Sequence, residues 1–248
     1  MRGPIRSGLG ALILLPLLAA CERAADFDYY ILALSWEPAF CATHGNKPEC
    51  RALDAGDFAA SNLVLHGLWP NAAQGEEPAY CGIGASSRAA DEAGQWCDLP
   101  DPGADQQTQG DLQRVMPGAE SCLDRHEWLK HGTCSGLGGD AYFDAAARLT
   151  EAFQSTQLAG ILRNGVGREI VLARLIEAFE HDFGDGAGAA LTVTCRHAGG
   201  RAYLAEIRLA LRPEAIDQPL AGDSLFLPGA SPRGGCPRNV IIDRAGPG

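Results

Sequence analysis

Several things are missing from this chain. No C-x-x-C pair occurs among its nine cysteines, which disfavours a zinc ribbon or a thioredoxin-like redox motif. No internal repeat and no long low-complexity tract interrupts it. Basic charge is short, with 20 Lys and Arg against 31 Asp and Glu and a formal net charge of −11. A non-specific nucleic-acid binder would want a basic surface, and an enzyme acting on RNA would need a local positive pocket within this acidic one. Acidic charge also serves simply to keep an exported protein soluble. What is present is ordinary for a globular protein: 248 residues, 46% hydrophobic and 21% charged, enough for one large domain or two small ones.

The N-terminus reads as a targeting segment rather than as part of the fold. "MRGPIRSG" carries Arg2 and Arg6 with no acid, and the apolar run that follows, "LGALILLPLLAA", is twelve residues long. That layout is a secretory signal peptide, too short to span a bilayer. Its end, "LAAC" (Leu18 to Cys21), resembles the bacterial lipobox, which implies cleavage after residue 20 and lipidation of Cys21. The alternative is an ordinary cleavage site followed by a chance cysteine. Losing Arg2 and Arg6 takes the net charge from −11 to −13. Without Cys21 eight cysteines remain, an even number that reads as four disulfides in an oxidising compartment. Spacing alone leaves 105 connectivities open. The expected organisation is a signal over 1–20, a linker over 21–25 and a single domain over 26–248.

The aromatic, branched "FDYYILALSW" (27–36) predicts a buried strand. "FCATHGNKPEC" (40–50) predicts a turn-rich loop, and "NLVLHGLWP" (62–70) a short strand stopped by Gly67 and Pro70. Residues 71–120, rich in Gly, Pro, Ala, Asp and Gln, predict a long excursion pinned by Cys81 and Cys97. "DRHEWLKHG" predicts a short helix with Asp124 as N-cap, Glu127 three residues on, and Gly132 as its stop. Amphipathic helices are expected over 142–155 and 168–184. "LTVTC" and "AYLAEIRLAL" (202–211) predict strands, the second alternating Tyr203, Ala205, Ile207 and Leu209 against Leu204, Glu206 and Arg208. The tail beyond "SPRGGC" reads as mostly loop. Strands at both ends with helices between predict an α+β fold: a central antiparallel sheet, flanking helices and disulfide-stapled long loops.

Chemistry concentrates in "HEWLKHGTC" (126–134). A zinc protease helix needs two histidines four apart, but Lys130 occupies the second ligand's place. His131 lies five residues beyond His126, about 140° around the helix. No metal is therefore expected. Glu127 and His131, four apart, share a face, with His126 and Lys130 on the neighbouring one. A carboxylate beside an imidazole favours imidazolium, and a lysine nearby suits a phosphate. A charged surface helix is the plain alternative. "HGLWP" adds His66 at a strand end and Trp69, whose flat face could stack on a base; a core tryptophan beside a turn is the competing reading.

Together "LHGLWPN" and "HEWLKHGTC" resemble the two active-site signatures of the ribonuclease T2 family of acid endoribonucleases. "FDYYILALSWEPAFC" is similar to the family's first strand and following cysteine, and "TCRHAGGRAYLAEIRLAL" to its last strands. The likeness spans most of residues 26–240 and is weakest in 84–120 and 156–190.

The resemblance implies cofactor-free, metal-independent cleavage of single-stranded RNA, and not of DNA, through a 2′,3′-cyclic phosphate. It implies His131 as base, His66 as acid, Glu127 and Lys130 at the phosphate, and His126 as a phosphate ligand. Trp69, Asn71 and Tyr80 become base contacts. It also implies the pairs Cys41–Cys50, Cys81–Cys134 and Cys195–Cys236, with Cys97–Cys122 remaining. The expectation is an exported monomer with low base specificity, periplasmic and held to a membrane through Cys21, or else secreted. Competing readings are a binding or signalling protein on the same fold, a metallohydrolase, and a structural secreted module. Two further signals are faint. "GVGREI" (165–170) lacks the third glycine of a phosphate loop, and "DFGDGAG" (182–188) lacks the final Glu of a calcium loop. His44, His181 and His197 are expected at the surface.

Overall fold

A computed structural model describes residues 26–227 and 234–246. The signal segment over 1–20 and the lipidation site at Cys21 lie outside the described residues. In chain order the elements are β1 (Tyr29–Trp36), α1 (Glu37–His44), α2 (Pro48–Ala52), β2 (Leu63–Asn71), α3 (Ala85–Glu92), α4 (Gln106–Val115) and α5 (Leu123–Lys130). They continue with α6 (Gly139–Phe153), α7 (Gln157–Gly165), β3 (Glu169–Val171), α8 (Leu172–Phe183), β4 (Leu191–Ala198), β5 (Arg201–Leu211) and β6 (Asn239–Ile241). The fold is α+β. Six strands form one sheet in the order β2-β1-β5-β6-β3, with β4 also pairing β5. The sheet is antiparallel except where β5 meets β6 at Tyr203 and Ile241.

The core lies between the sheet and the long helices. β1 buries Tyr30, Leu32, Leu34 and Trp36, and α6 buries Tyr142, Phe143, Leu149 and Phe153 against the same cluster. Each such side chain contributes roughly 1.5–3 kcal/mol on leaving water. The Tyr142 hydroxyl donates to the Leu68 carbonyl at 2.7 Å, which ties α6 to β2.

Several local expectations are overturned. The segment 40–50 is not loop: α1 and α2 occupy most of it, joined by the Cys41–Cys50 bridge. β2 runs through Gly67 and Pro70 to Asn71. It is an edge strand, so a proline without an N–H costs little there. A side chain at Gly67 would strike the Glu127 carboxylate and the Trp69 indole, so the glycine admits a close approach instead of ending the strand. The excursion over 71–120 contains α3 and α4. α5 is capped not by Asp124 but by Cys122, in the left-handed region at φ 61°, and Glu127 turns inward. α8 begins at Leu172, because residues 169–171 pair with β6.

Two strand irregularities shape the site. On β2, Leu65 pairs with Leu34 and Gly67 with Ala33, which leaves His66 as an extra residue. On β5, Leu204 pairs with Cys195 and Glu206 with Thr194, which leaves Ala205 extra. The expected alternation of β5 breaks there: Leu204 and Ile207 are both fully buried. Bulges of this kind bend a strand and re-aim the side chains beside them.

Candidate active site

The two sequence motifs meet at Trp69. His66 packs edge-on against its ring at 5.2 Å between centroids, and His131 lies tilted against it at 5.3 Å. The Trp69 indole N–H donates to Glu127 Oε2 at 2.6 Å. Glu127 is 1% exposed, and its Oε1 lies 3.5 Å from His66 Nε2 and 3.9 Å from His126 Nε2. A strand and a helix thus deliver two imidazoles, His66 and His126, to one buried carboxylate.

The long excursion wraps the helix side. Its start is fixed by the Cys81–Cys134 bridge and by the Tyr80 N–H, which donates to the Lys130 carbonyl at 2.8 Å. Its middle is fixed by Cys97–Cys122 and by Arg125, which donates to the carbonyls of Cys97 and Leu99. From α3 it supplies Asp91, buried at 2% exposure, whose carboxylate lies 2.8 Å from His126 Nδ1 and accepts from the Tyr80 hydroxyl at 2.8 Å. Trp96 stacks on the His126 ring at 4.5 Å, and Lys47 lies over Trp96.

On the sheet side, Glu206 of β5 lies 2.6 Å from His66 Nδ1. Arg208 donates through Nε to the other Glu206 oxygen at 2.6 Å, and its guanidinium covers the Trp69 ring. A cavity of about 210 Å³ opens beside His66, with Glu37, Phe40, Lys47, Glu49 and Trp96 among its walls.

The two histidines that flank Trp69 are perturbed in opposite directions. Burial, then the charges of Lys130, His126 and His66, drive His131 down to about 3. Its Nδ1 is buried without a hydrogen-bond partner among the described residues. Burial also pulls His66 down, but the Glu206 hydrogen bond and the charges of Glu127 and Glu206 outweigh it and raise the net value. Glu206 is lowered, its hydrogen bond and charge attraction to His66 and Arg208 overcoming burial. Burial pushes Glu127 up against the cations around it. Glu37 rises to about 7, through burial and then repulsion from Glu49.

Asn71 ends β2 at 3% exposure, and Tyr80 sits in the left-handed region at φ 56°. His44, His181 and His197 are exposed. Among the described residues, the one group of potential metal donors close enough to share an ion is Glu37, Cys41 and Cys50, whose two sulfurs are already bonded to each other. No helix among them is long and apolar enough to cross a membrane. Sequence reading missed Glu206, Arg208, Asp91 and Trp96. The one trace of Glu206 was an acid inside a mostly apolar strand, and Asp91 left none.

Two imidazoles perturbed in opposite directions are set against the same indole, an arrangement suited to paired proton transfer. Residues 27–218 match the model of the Ribonuclease T2 family. The chain is 34% identical to Ribonuclease I of Escherichia coli (strain K12), over 97% of each chain. Its fold is similar to the self-incompatibility SF11-RNase of Nicotiana alata, with a TM-score of 0.60 and 20% identity over 88% of this chain and 100% of that one. It is also similar to RNase NT in complex with 5′-AMP, with a TM-score of 0.57 and 22% identity over 88% and 99% of the two chains. The chain belongs to the ribonuclease T2 family and is an enzyme.

Proposed function

We propose that the protein cleaves single-stranded RNA with low base specificity, using the ribose 2′-OH as nucleophile and no metal. His131 takes the proton from the 2′-oxygen as that oxygen attacks phosphorus. The bond from phosphorus to the 5′-oxygen breaks, and His66 gives that oxygen its proton. The products are a 2′,3′-cyclic phosphate and a free 5′-OH. In a slower second step water attacks, His66 takes its proton, and His131 protonates the departing 2′-oxygen to leave a 3′-phosphate.

The observation that carries this reading is the opposite perturbation of two histidines on one indole. A base must start neutral, and burial keeps His131 neutral. An acid must start protonated, and two carboxylates favour that form of His66. Glu127 and Lys130 meet charge as it develops on the phosphorane-like transition state, and His126 binds the phosphate. Trp69 and Tyr80 already give their polar hydrogens to Glu127 and Asp91, so each would meet a base through its ring face, with Asn71 as a polar contact.

The reading includes a removable signal over 1–20, a lipid on Cys21, a single catalytic domain over 26–248 and a monomeric, exported product. Four disulfides are consistent with an oxidising compartment. Mass spectrometry of the mature N-terminus should find acyl chains on Cys21; a product starting downstream of it refutes the anchor.

The catalytic claim is tested by digesting RNA across pH 4 to 8 with chelator present and following cyclic-phosphate ends. Activity should survive the chelator and spare DNA, which lacks the nucleophile. Activity should hold down to pH 4, because the depressed His131 value lies below that range, and should fall as pH rises through the raised His66 value. Equal activity of the wild type and His66→Ala, or equal cutting of DNA, refutes it.

A further inference from the structure

The acid just assigned to His66 has a partner that neither motif contains. His66 is the extra residue of β2, and Glu206 adjoins the extra residue of β5. These strands lie on either side of β1, and Glu206 pairs with Ser35 of that strand. The two bulges turn His66 and Glu206 toward each other across β1, with Nδ1 and Oε2 2.6 Å apart. The carboxylate is then pinned. Its other oxygen accepts from Arg208 Nε at 2.6 Å, and the Ser35 hydroxyl lies 3.4 Å from Oε2. Glu206 is only 8% exposed, on a strand whose neighbours Leu204, Ile207 and Leu209 are fully buried. A carboxylate is costly in such a place unless it is paired, and packing alone gives no reason for it.

We propose that Glu206 is the positioning residue of His66: it accepts the Nδ1 hydrogen and fixes the ring so that Nε2 faces Glu127 and the cleft. The inference rests on the reading of His66 as the acid. With Nδ1 engaged, Nε2 alone is free to protonate the leaving oxygen. Arg208 holds Glu206 in turn. The other titratable and charged groups around His66 are Glu127 and His131 from the α5 side, Glu37 and His44 on α1, Lys47 and Glu49 across the adjoining cavity, Arg196 on β4, and Arg208 itself. Glu127 approaches Nε2, at 3.5 Å, and not Nδ1.

The test is Glu206→Gln beside the wild type and His66→Ala, with near-UV circular dichroism to check folding. On RNA, kcat should fall about 10²-fold with KM little changed, since a positioned general acid is worth about 10²–10⁴-fold. The basic limb of the pH profile should move about one unit toward acid. On a uridine 3′-(4-nitrophenyl phosphate), whose leaving group departs without a proton, the loss should shrink to less than tenfold. Glu206→Asp, which keeps the charge, should recover part of the activity.

Nitrogen-15 NMR of the imidazoles gives a readout independent of turnover. Wild-type His66 should show Nδ1 protonated and titrate later than in Glu206→Gln. An unchanged His66 titration and pH profile in Glu206→Gln would overturn the proposal, as would an equal loss on both substrates. If His66→Ala matched the wild type, the acid reading itself would fail, whatever the NMR showed. Should Glu206→Gln not fold, a wild-type His66 without a proton on Nδ1 overturns the proposal by itself.

Discussion

His66 stands on a strand, while His131 stands just past the end of a helix. The first is held by sheet register: its ring reaches one carboxylate through each nitrogen, at 2.6 Å and 3.5 Å. The second is held by packing against Trp69, and its Nδ1 meets no partner among the described residues. In the proposed mechanism the same side chain would serve as an acid where charge is added and as a base where it is withheld. The surroundings differ in kind too. The strand half is fixed by hydrogen bonds across the sheet, whereas the helix half depends on an excursion bridged to it by Cys81–Cys134 and Cys97–Cys122.

The largest expected effect breaks the comparison outright. His66→Ala and His131→Ala should each lower kcat on RNA by about 10²–10⁴-fold. A nitrophenyl leaving group should rescue the first and leave the second slow, because only the acid becomes dispensable. Equal rescue of both in a single-turnover assay would show that the two halves are not specialised.

Removing the outer bridge should come next. Cys81→Ser with Cys134→Ser is expected to cost about 2–4 kcal/mol in urea unfolding. Hydrogen exchange should then rise in α3 and α5 while β1 and β5 keep their protection. Uniform loosening of the sheet would mean the halves are not separately held.

Glu37, beside the strand half, offers a pH test. Its folded pKa of about 7 stands above the ordinary 4.5, so the folded chain binds the proton more tightly. Its contribution to stability is complete below pH 4.5 and is lost as pH rises through 7. Glu37→Gln should flatten that decline and gain at most roughly 3 kcal/mol at pH 8, at about 1.36 kcal/mol per unit. Melting temperatures measured from pH 4 to 8 would show it.

The smallest effect is expected at Asp91, the partner of His126. Asp91→Asn should raise KM about tenfold, equivalent to about 1.4 kcal/mol, and leave kcat nearly unchanged. A fall confined to kcat would move His126 from holding the phosphate to the chemistry itself.

These differences also explain what could be read from the sequence. His66 and the "HEWLKHGTC" helix were legible because each motif is contiguous. Glu206 was not, since its partner lies 140 residues away and the turn of its side chain depends on a bulge set by β4. The same bulge defeats the simple alternation expected for β5. The helices α1 and α2 were hidden because Gly45, Asn46 and Pro48 read as turn residues, though a bridge from Cys41 to Cys50 holds two short helices there. Residues 169–171 continue a helical pattern but are claimed by β6, whose Asn239 pairs with Val171. Asp124 looked like a cap, yet α5 starts from Cys122, whose left-handed backbone is tied to Cys97.

The bridges that tie the excursion to α5 have a consequence in time. Cys97–Cys122, whose ends are 25 positions apart, nests inside Cys81–Cys134, whose ends are 53 apart. The sheet that aims His66 and Glu206 carries one bridge of its own, Cys195–Cys236, between β4 and the segment before β6. The clasp that brings Asp91 to His126 awaits an oxidant, because thiols held reduced by glutathione form no such bridges. Under the proposed roles the phosphate grip of a newly made chain would await oxidation, and competence would arrive with the last cystine rather than with the last hydrogen bond.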